Sequence, residues 1–443
     1  MANTNKTQVT VVGAGPAGCA CAITLARAGI DVVLVERGNF AGAKNMFGGA
    51  IYAYPFCELY PGFETEAPIE RRITVKDYVL ASDDSFVKIR YANNPDSPNP
   101  AACNGSAVSY SVKRSQWDKW CVKKAEEAGV TFVPDTLVEE LLYKGMKVVG
   151  IKTAREEFFS DIVIVADGVN SILAKQAGLR KDLSPKKIAL GVKEVFKLPQ
   201  DVIESRLGLE KNQGCACEIF GAALDGLCAA GFVYTFKDAV AVGFGVSLDE
   251  FSKNKVTPQE LSEKFKEYPF IKNIVEDGEL IEYSAHLLPE GEDVPELFDD
   301  GIMLAGDAAM LINNINFEGT NLAAQSGIFA AETAIEAFKK NDFSKKTLSL
   351  YKKKLENSYV LKDIKAFKPV IPFVHDNAKD LLSFYPNKIN EFFKIFNTVG
   401  NTPKSELYGN FIKTSIKERG LKNLVKDGLK GVSLVFNVLR GGK

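Results

Sequence analysis

The sequence predicts an α/β protein: a Rossmann-type domain, interrupted by an antiparallel-sheet domain and followed by a helical C-terminal region. Three short stretches predict it. Residues 8–37 read as strand, glycine turn, helix and strand; residues 161–173 as strand, Asp-Gly and helix; residues 301–337 as strand, Gly-Asp, loop and a long Ala-rich helix. Each is a strand-to-helix unit of the kind that builds a parallel sheet. Between the second and third the texture changes to alternating strand-like runs.

The first stretch carries the most chemistry. An apolar run from Val9 to Val12 reads as a buried strand. Gly13, Gly15 and Gly18 follow in GxGxxG spacing, with Ala14, Pro16 and Ala17 between them, and a helical pattern runs from Ala17 to Ala28. A second apolar run, Val32 to Val35, ends at Glu36. Gly13 permits a tight turn, Gly15 lets the backbone approach a pyrophosphate, and Gly18 lets helix and strand pack closely. The helix N-terminus offers unpaired N–H groups and a partial positive charge to phosphate. Glu36 can accept hydrogen bonds from ribose hydroxyls. The unit therefore predicts a dinucleotide site.

Residues 38–56 hold four glycines and few strand formers, which predicts a long loop lying across that dinucleotide. Lys44 and Asn45 can serve phosphate or a flavin edge, and Gly48 and Gly49 allow close backbone approach. Thr74 to Leu80 and Phe86 to Tyr91 read as strands, and the Pro/Asn-rich Asn93 to Asn104 as an exposed loop. Trp117, Trp120, Cys121 and Ala125 recur at helical spacing, with Ser115 as the expected N-cap and Arg114 just before the helix. Thr131 to Val133 and Val148 to Thr153 read as strands of a small sheet.

In the second stretch an apolar strand ends at Ala166-Asp167-Gly168. Ala189 to Phe196, Gly231 to Phe236 and Ala239 to Val246 are strand-like, and Val256 to Tyr268 reads as a helix started by Thr257-Pro258. In the third stretch Ile302 to Ala305 leads to Gly306-Asp307, placed to bond a ribityl or ribose hydroxyl. The helix starting at Gly319-Thr320-Asn321 would aim its dipole at a flavin pyrimidine edge and stabilise negative charge there. Two sites along one cofactor favour FAD over NAD.

After about residue 345 the chain is helical and lysine-rich, with a kink expected in Phe367 to Val374. Phe411 to Lys443 holds eight basic residues and two acidic ones, which leaves −7 on the rest of a chain whose net charge is −1. Leu421, Leu424, Val425, Leu429, Val432, Val435, Phe436 and Leu439 fall at helical spacing, with Lys422, Lys426 and Lys430 one turn apart. That pattern suits a membrane surface or an acidic partner, or a helix packed on its own domain with a solvated basic face. Gly420, Gly428 and Gly431 argue against one continuous helix.

Bulk properties exclude several classes. At 443 residues two or three domains are expected, and the near-zero net charge gives no case for nucleic-acid binding. No secretory signal and no apolar run of membrane-spanning length is read, and the eight scattered cysteines suggest a reduced, cytoplasmic setting. Cys57 stands alone, and the Cys215/Cys217 pair has no matching second pair, so no metal site is expected. His286 and His375 are read as structural.

Together the three stretches resemble the glutathione-reductase-type FAD oxidoreductases, in the subgroup of p-hydroxybenzoate hydroxylase and geranylgeranyl reductase. Gly13, Gly15 and Gly18 with Glu36, then Asp167-Gly168, then Gly306-Asp307 match that subgroup's motifs, and Arg114 matches its arginine near the pyrophosphate or ribityl chain. The loop AGAKNMFGGAIY narrows the resemblance to the FixC proteins and the electron-transfer-flavoprotein:quinone oxidoreductases. The resemblance implies FAD as cofactor, held also by Arg37, Val138, Thr320 and Asn321. It implies a discontinuous FAD domain over 1–80, 105–180 and 290–345, and an exposed excursion over 81–104. A substrate or quinone domain over 181–289 and a helical region over 346–443 complete the division.

In function it implies a subunit of an electron-bifurcating complex that passes electrons to membrane quinone. The implied partners are two electron-transfer-flavoprotein subunits, a small ferredoxin-like iron–sulfur protein and the inner face of the cell membrane. No cysteine follows Cys228, so the C-terminal cluster domain of the larger quinone oxidoreductases has no counterpart here. Phe317, Phe367 and Phe373 are candidates to line a quinone channel. Two other readings share the fold: a geranylgeranyl-reductase-like enzyme that saturates prenyl lipids, and a flavin-binding subunit that docks a complex to membrane without turnover.

Overall fold

A computed structural model describes residues 6–44, 49–93, 109–290 and 293–441. Asn45 and Gly48 lie outside the described residues. The chain forms two compact units. The first comprises Met1–Ile73, Asn94–Gly191 and Ser284–Ile364; the second comprises Thr74–Asn93, Val192–Tyr283 and Lys365–Lys443.

The first unit is built on a parallel sheet. Its central strand β1 (Lys6–Val12) is followed by α1 (Pro16–Arg27) and β2 (Val32–Val35), then α2 (Arg114–Glu127), β3 (Glu157–Val165), β4 (Ile302–Leu304) and α3 (Thr320–Lys340). The sheet order is β4, β3, β1, β2, then the strand Thr131–Val133. Val9 lies opposite both Ile162 and Val32, and Val163 opposite Ile302, all in parallel register. Apolar residues occupy both faces of these strands, as a sheet covered by helices requires: Val9, Val11, Leu34 and Ile162 to Val165 are all buried. The strand ends, rather than their lengths, place the loops that matter.

Several local expectations are corrected. Thr131–Val133 joins the parallel sheet beside β2 instead of a small separate one. The helix after Val112 begins at Arg114 itself, and its N-cap is Lys113 with no side-chain cap, so Ser115 plays no capping role. The stretch after Glu36 is not loop throughout. Ala50–Tyr52 forms a strand because Ile51 pairs with Tyr110, a partner far away in sequence. Cys57 is disulfide-bonded rather than alone.

The second unit carries an antiparallel sheet. Strand Gln213–Gly221 pairs with Ala229–Thr235, which pairs with Ala239–Ser247; Val75 to Ala81 pairs with Phe86–Ala92. Thr257 caps helix Pro258–Glu267 in a full capping box with Glu260, which explains the sharp start at Thr257-Pro258. The C-terminal region ends in α4 (Lys404–Arg419) and α5 (Leu421–Leu439). Gly420, at φ +82, separates them, but Gly428 and Gly431 are accommodated inside α5. Among the described residues no helix is long and apolar enough to cross a membrane.

Candidate functional site

The loops at the C-terminal ends of β1, β2 and β3, with that after β4, border one cleft of about 960 Å³ in the first unit, open mouth included. This is where ligands sit in open α/β sheets. The glycines make the cleft. Gly13 sits at φ +101, and a Cβ there would stand 2.3 Å from the Ala166 carbonyl oxygen. A Cβ on Gly18 would stand 1.8 Å from the Gly13 carbonyl oxygen, so α1 reaches the strand only because Gly18 has none. A Cβ on Gly15 would meet nothing within 4 Å, so Gly15 leaves space for something else. As N-cap of α1, with Pro16 next, it leaves the first helical N–H groups without a side-chain cap.

Glu36 is already at work in the structure. Its Oε2 accepts from the Ala14 N–H at 2.9 Å and its Oε1 from the Gly38 N–H at 2.8 Å. The carboxylate thus fixes the turn after β1 and keeps lone pairs for a further donor. Asp167 lines the same cleft. One of its oxygens, Oδ1, is buried with no partner, and burial pushes its carboxyl up to about 6 despite Ser171 and Arg180 nearby. Asp307 lines the cleft from the β4 side; burial raises it too, opposed by His286, Arg114 and Arg180. An uncapped helix N-terminus, a carboxylate with spare acceptors and an orphaned buried oxygen fit a ligand carrying both phosphate and hydroxyl groups, as a flavin dinucleotide does.

Of the residues singled out in the sequence, the cleft brings together Gly13, Ala14, Gly15, Glu36, Arg37, Lys44, Val138, Asp167, Gly168 and Asp307. Pro16, Ala17, Gly18, Gly49, Gly306, Gly319, Thr320 and Asn321 do not line it. Gly306 instead serves packing: its N–H bonds Ser326 Oγ at 2.9 Å, and a Cβ there would stand 3.0 Å from that of Ala17. The N-terminus of α3 has no side-chain cap at Gly319, and Asn321 Oδ1 and Gln325 Oε1 are buried without partners. Arg114 also lies off the cleft wall. Its Nε and Nη2 bond the two carboxylate oxygens of Asp118 at 3.1 and 2.9 Å, one turn along α2. Asp118 is the member of that pair that lines the cleft.

Three contributors were not legible. Asp118 reads in sequence as an ordinary polar helix residue. Arg180 donates to the Val169 and Ala308 carbonyls, bracing the Asp-Gly loop against the Gly-Asp loop. His286 lines the cleft and acts on Asp307, although it looks isolated in the sequence. No motif marks these last two, because what unites them with the cleft is tertiary.

The raised Asp167 gives a testable sign. A carboxyl raised in the folded state costs stability once pH exceeds its unfolded value, and the cost is complete above its folded one. Asp167→Asn in flavin-free protein is therefore expected to be more stable than wild type at pH 7, by about 3 kcal/mol. The gain should vanish as pH falls towards 4. Melting curves across that range check it, and a gain independent of pH would refute burial as the cause.

Comparison with known proteins agrees with this architecture. Residues 8–178 match the FAD dependent oxidoreductase family, 188–288 the ETF-QO ubiquinone-binding family, and 371–435 the ETF-QO/FixC family C-terminal domain. The chain is 39% identical over 430 residues to the protein FixC of Escherichia coli K12, covering 96% of this chain and 98% of that one. It is 37% identical over 434 residues to a probable electron transfer flavoprotein-quinone oxidoreductase, YdiS, of the same organism, covering 97% and 99%. Among solved structures, a geranylgeranyl bacteriochlorophyll reductase-like protein from Thermoplasma acidophilum superimposes with a TM-score of 0.70 at 19% identity, covering 94% of this chain and 99% of that one. That likeness is one of fold.

Proposed function

The chain belongs to the family of FixC and the electron-transfer-flavoprotein–quinone oxidoreductases and is a FAD-dependent oxidoreductase; from that premise we propose that it carries electrons from an electron-transfer flavoprotein to a membrane quinone, as one subunit of an electron-bifurcating complex. The observation that carries the acceptor is the match of residues 188–288 to a ubiquinone-binding family. The donor and the complex rest on family membership: a two-subunit electron-transfer flavoprotein and a small ferredoxin-like protein.

FAD supplies the redox chemistry when bound. The work of this chain is to hold it. The α1 N-terminus and the Gly13–Gly15 backbone would hold its diphosphate, and Glu36 would accept from a ribose hydroxyl with the lone pairs its two backbone donors leave. Asp167 and Asp307, which line the same cleft, would accept from its other hydroxyls, while Arg114 acts by holding Asp118 in place. The N-terminus of α3 gives Gly319, Thr320 and Asn321 a role towards the ring's pyrimidine edge, where a helix dipole favours negative charge.

Peripheral attachment to the membrane's inner face is assigned to α5, whose sequence pattern resolves into two apolar faces. Leu424, Leu434 and Val438 are half-buried, and Asp427 on the same side accepts from Arg419 and from Tyr385, each at 2.8 Å. Leu421, Val425, Leu429, Val432, Val435, Phe436 and Leu439 are 54–75% exposed on the other face. Lys422 and Lys426 are exposed between the two, while Lys430 turns inward to Asn377 and the Phe373 ring. An outward apolar stripe beside lysines suits an anionic lipid surface better than water.

The test is co-purification with the neighbouring subunits, then NADH-driven reduction of a soluble quinone. Quinol formation that requires this chain, and is lost without its FAD, is expected. If the partner flavoprotein leaves the bound FAD oxidised, the electron-path reading is wrong.

A further inference from the structure

The antiparallel sheet of the second unit has two unlike faces. One is packed on helices. A Cβ on Gly231 would stand 2.8 Å from the Phe265 ring of helix Pro258–Glu267, and Phe265 meets Phe244 edge-on with centroids 5.9 Å apart. Ser262 of that helix bonds Glu194 at 2.7 Å. Side chains alternate along a strand, so Glu218, next to Cys217 and Ile219, falls on the opposite face.

Register defines that opposite face. Glu218 stands across from Phe232 and Ala216 from Tyr234; Phe232 in turn stands across from Gly243, Tyr234 from Ala241 and Ala230 from Gly245. The face therefore carries two stacked rings, Phe232 and Tyr234 with centroids 5.0 Å apart; the Phe232 ring lies over Gly243, where a Cβ would stand 2.6 Å from it, and the open floor is the Ala230 and Gly245 pair beside it. A Cβ on Gly245 would meet nothing within 4 Å. A flat aromatic head group has room over Gly245, at the edge of these rings, where little side-chain bulk stands.

Glu218 is the polar group of this face. It is only 4% exposed, and its Oε2 has no hydrogen-bond partner. A buried carboxylate with one oxygen left unpaired is costly, so Glu218 is pushed up to about 7, chiefly by burial. The charged groups that act on it come from the adjacent strand Ile69–Ala81: Lys76 lowers it and Asp77 raises it. Asp77 is itself paired with Arg90 and Lys88. A carboxyl half-protonated near neutral pH can both give and regain a proton there.

We propose that Glu218 hydrogen-bonds a carbonyl oxygen of the quinone on this sheet face and hands it a proton as the quinone is reduced. The inference rests on the reading of quinone as acceptor. The balance is simple. A quinone takes two electrons and two protons to become a quinol; the electrons come from the protein's reduced flavin. Glu218 breaks its O–H bond to supply one proton, water supplies the second, and the Glu218 carboxylate then recovers its own from water.

The experiment uses the full FAD-loaded chain with Glu218→Gln and Glu218→Asp. Each is reduced by dithionite and reoxidised either by a short-tailed soluble ubiquinone or by ferricyanide, which takes electrons without protons. In Glu218→Gln the quinone rate is expected to fall at least tenfold while the ferricyanide rate and FAD content stay at wild-type values, and Glu218→Asp recovers part of the loss. The wild-type quinone rate should decline as pH rises through about 7, and the Gln variant should show no such step. In flavin-free protein, binding of the same ubiquinone should weaken over the same pH range in wild type alone. Wild-type rates and an unchanged pH profile in Glu218→Gln overturn the assignment of Glu218. Wild-type protein that reduces ferricyanide but no quinone overturns the acceptor reading instead.

Discussion

Gly18→Ala is expected to yield protein without FAD. The added methyl would stand 1.8 Å from the Gly13 carbonyl oxygen and 3.4 Å from a Val11 methyl, and the nearest atom is backbone, which cannot rotate away. Relief requires α1 to lift from β1 or the Gly13 turn to change. The first costs packing against the buried α1 face, from Ala17 to Leu25. The second breaks the hydrogen bond from the Gly13 N–H to the Val35 carbonyl at 2.8 Å and moves the Ala14 N–H held by Glu36. Overpacking of this kind costs about 1–3 kcal/mol and sometimes more. Flavin absorbance per chain after gel filtration, with the melting temperature, measures both. Full FAD occupancy in Gly18→Ala would show that the contact relaxes without disturbing the turn. Gly15→Ala is the matched control: its methyl meets no protein atom within 4 Å, so any loss of FAD there arises from the ligand side.

The second large effect is expected at α5. Replacing Val425, Leu429, Val432 and Phe436 with serine removes apolar surface that is 54–67% exposed, so the fold loses little. Partitioning onto anionic vesicles should lose about 4 kcal/mol, roughly a thousandfold, at about 1 kcal/mol for each half-exposed side chain. Lys422→Glu with Lys426→Glu should weaken binding to anionic vesicles and leave neutral ones unaffected, and added salt should mimic it. Vesicle sedimentation of the full chain decides. Equal sedimentation of the four-serine variant and wild type would exclude the lipid surface as the occupant of this face.

The sequence is most informative where covalent geometry leaves a single solution. Gly13 and Gly18 are legible because no other residue fits a positive φ under a carbonyl or a 1.8 Å approach, and those constraints act within a few residues. Glu36 is legible by its distance from the turn, although its bonds to Ala14 and Gly38 are not, since they depend on how β2 lies beside β1. The strand Ala50–Tyr52 is hidden because its stability comes from Ser109–Val112, more than fifty residues away. Arg114 shows the limit of motif transfer: the position is recognisable, but the Asp118 that captures its guanidinium is a separate fact of this helix. In α5 the periodicity announces an apolar face without saying that there are two, or that the larger points outward. Helical spacing has no term for what lies beyond the helix.

The close approaches around α1 bear on how the site comes into being. Gly18 lies under the Gly13 carbonyl, a Cβ on Gly327 would stand 2.0 Å from the Ala17 carbonyl, and Gly306 sits against Ala17 from a third direction. The helix that begins the cofactor cleft is thus fitted between an element made first and elements made some three hundred residues later. During synthesis β1, α1 and β2 leave the ribosome long before β3, β4 and α3 exist, so the nascent chain carries an unfinished nucleotide site until most of the polypeptide has emerged. The glycines that let the finished parts nest also make their nesting a long-range, late event.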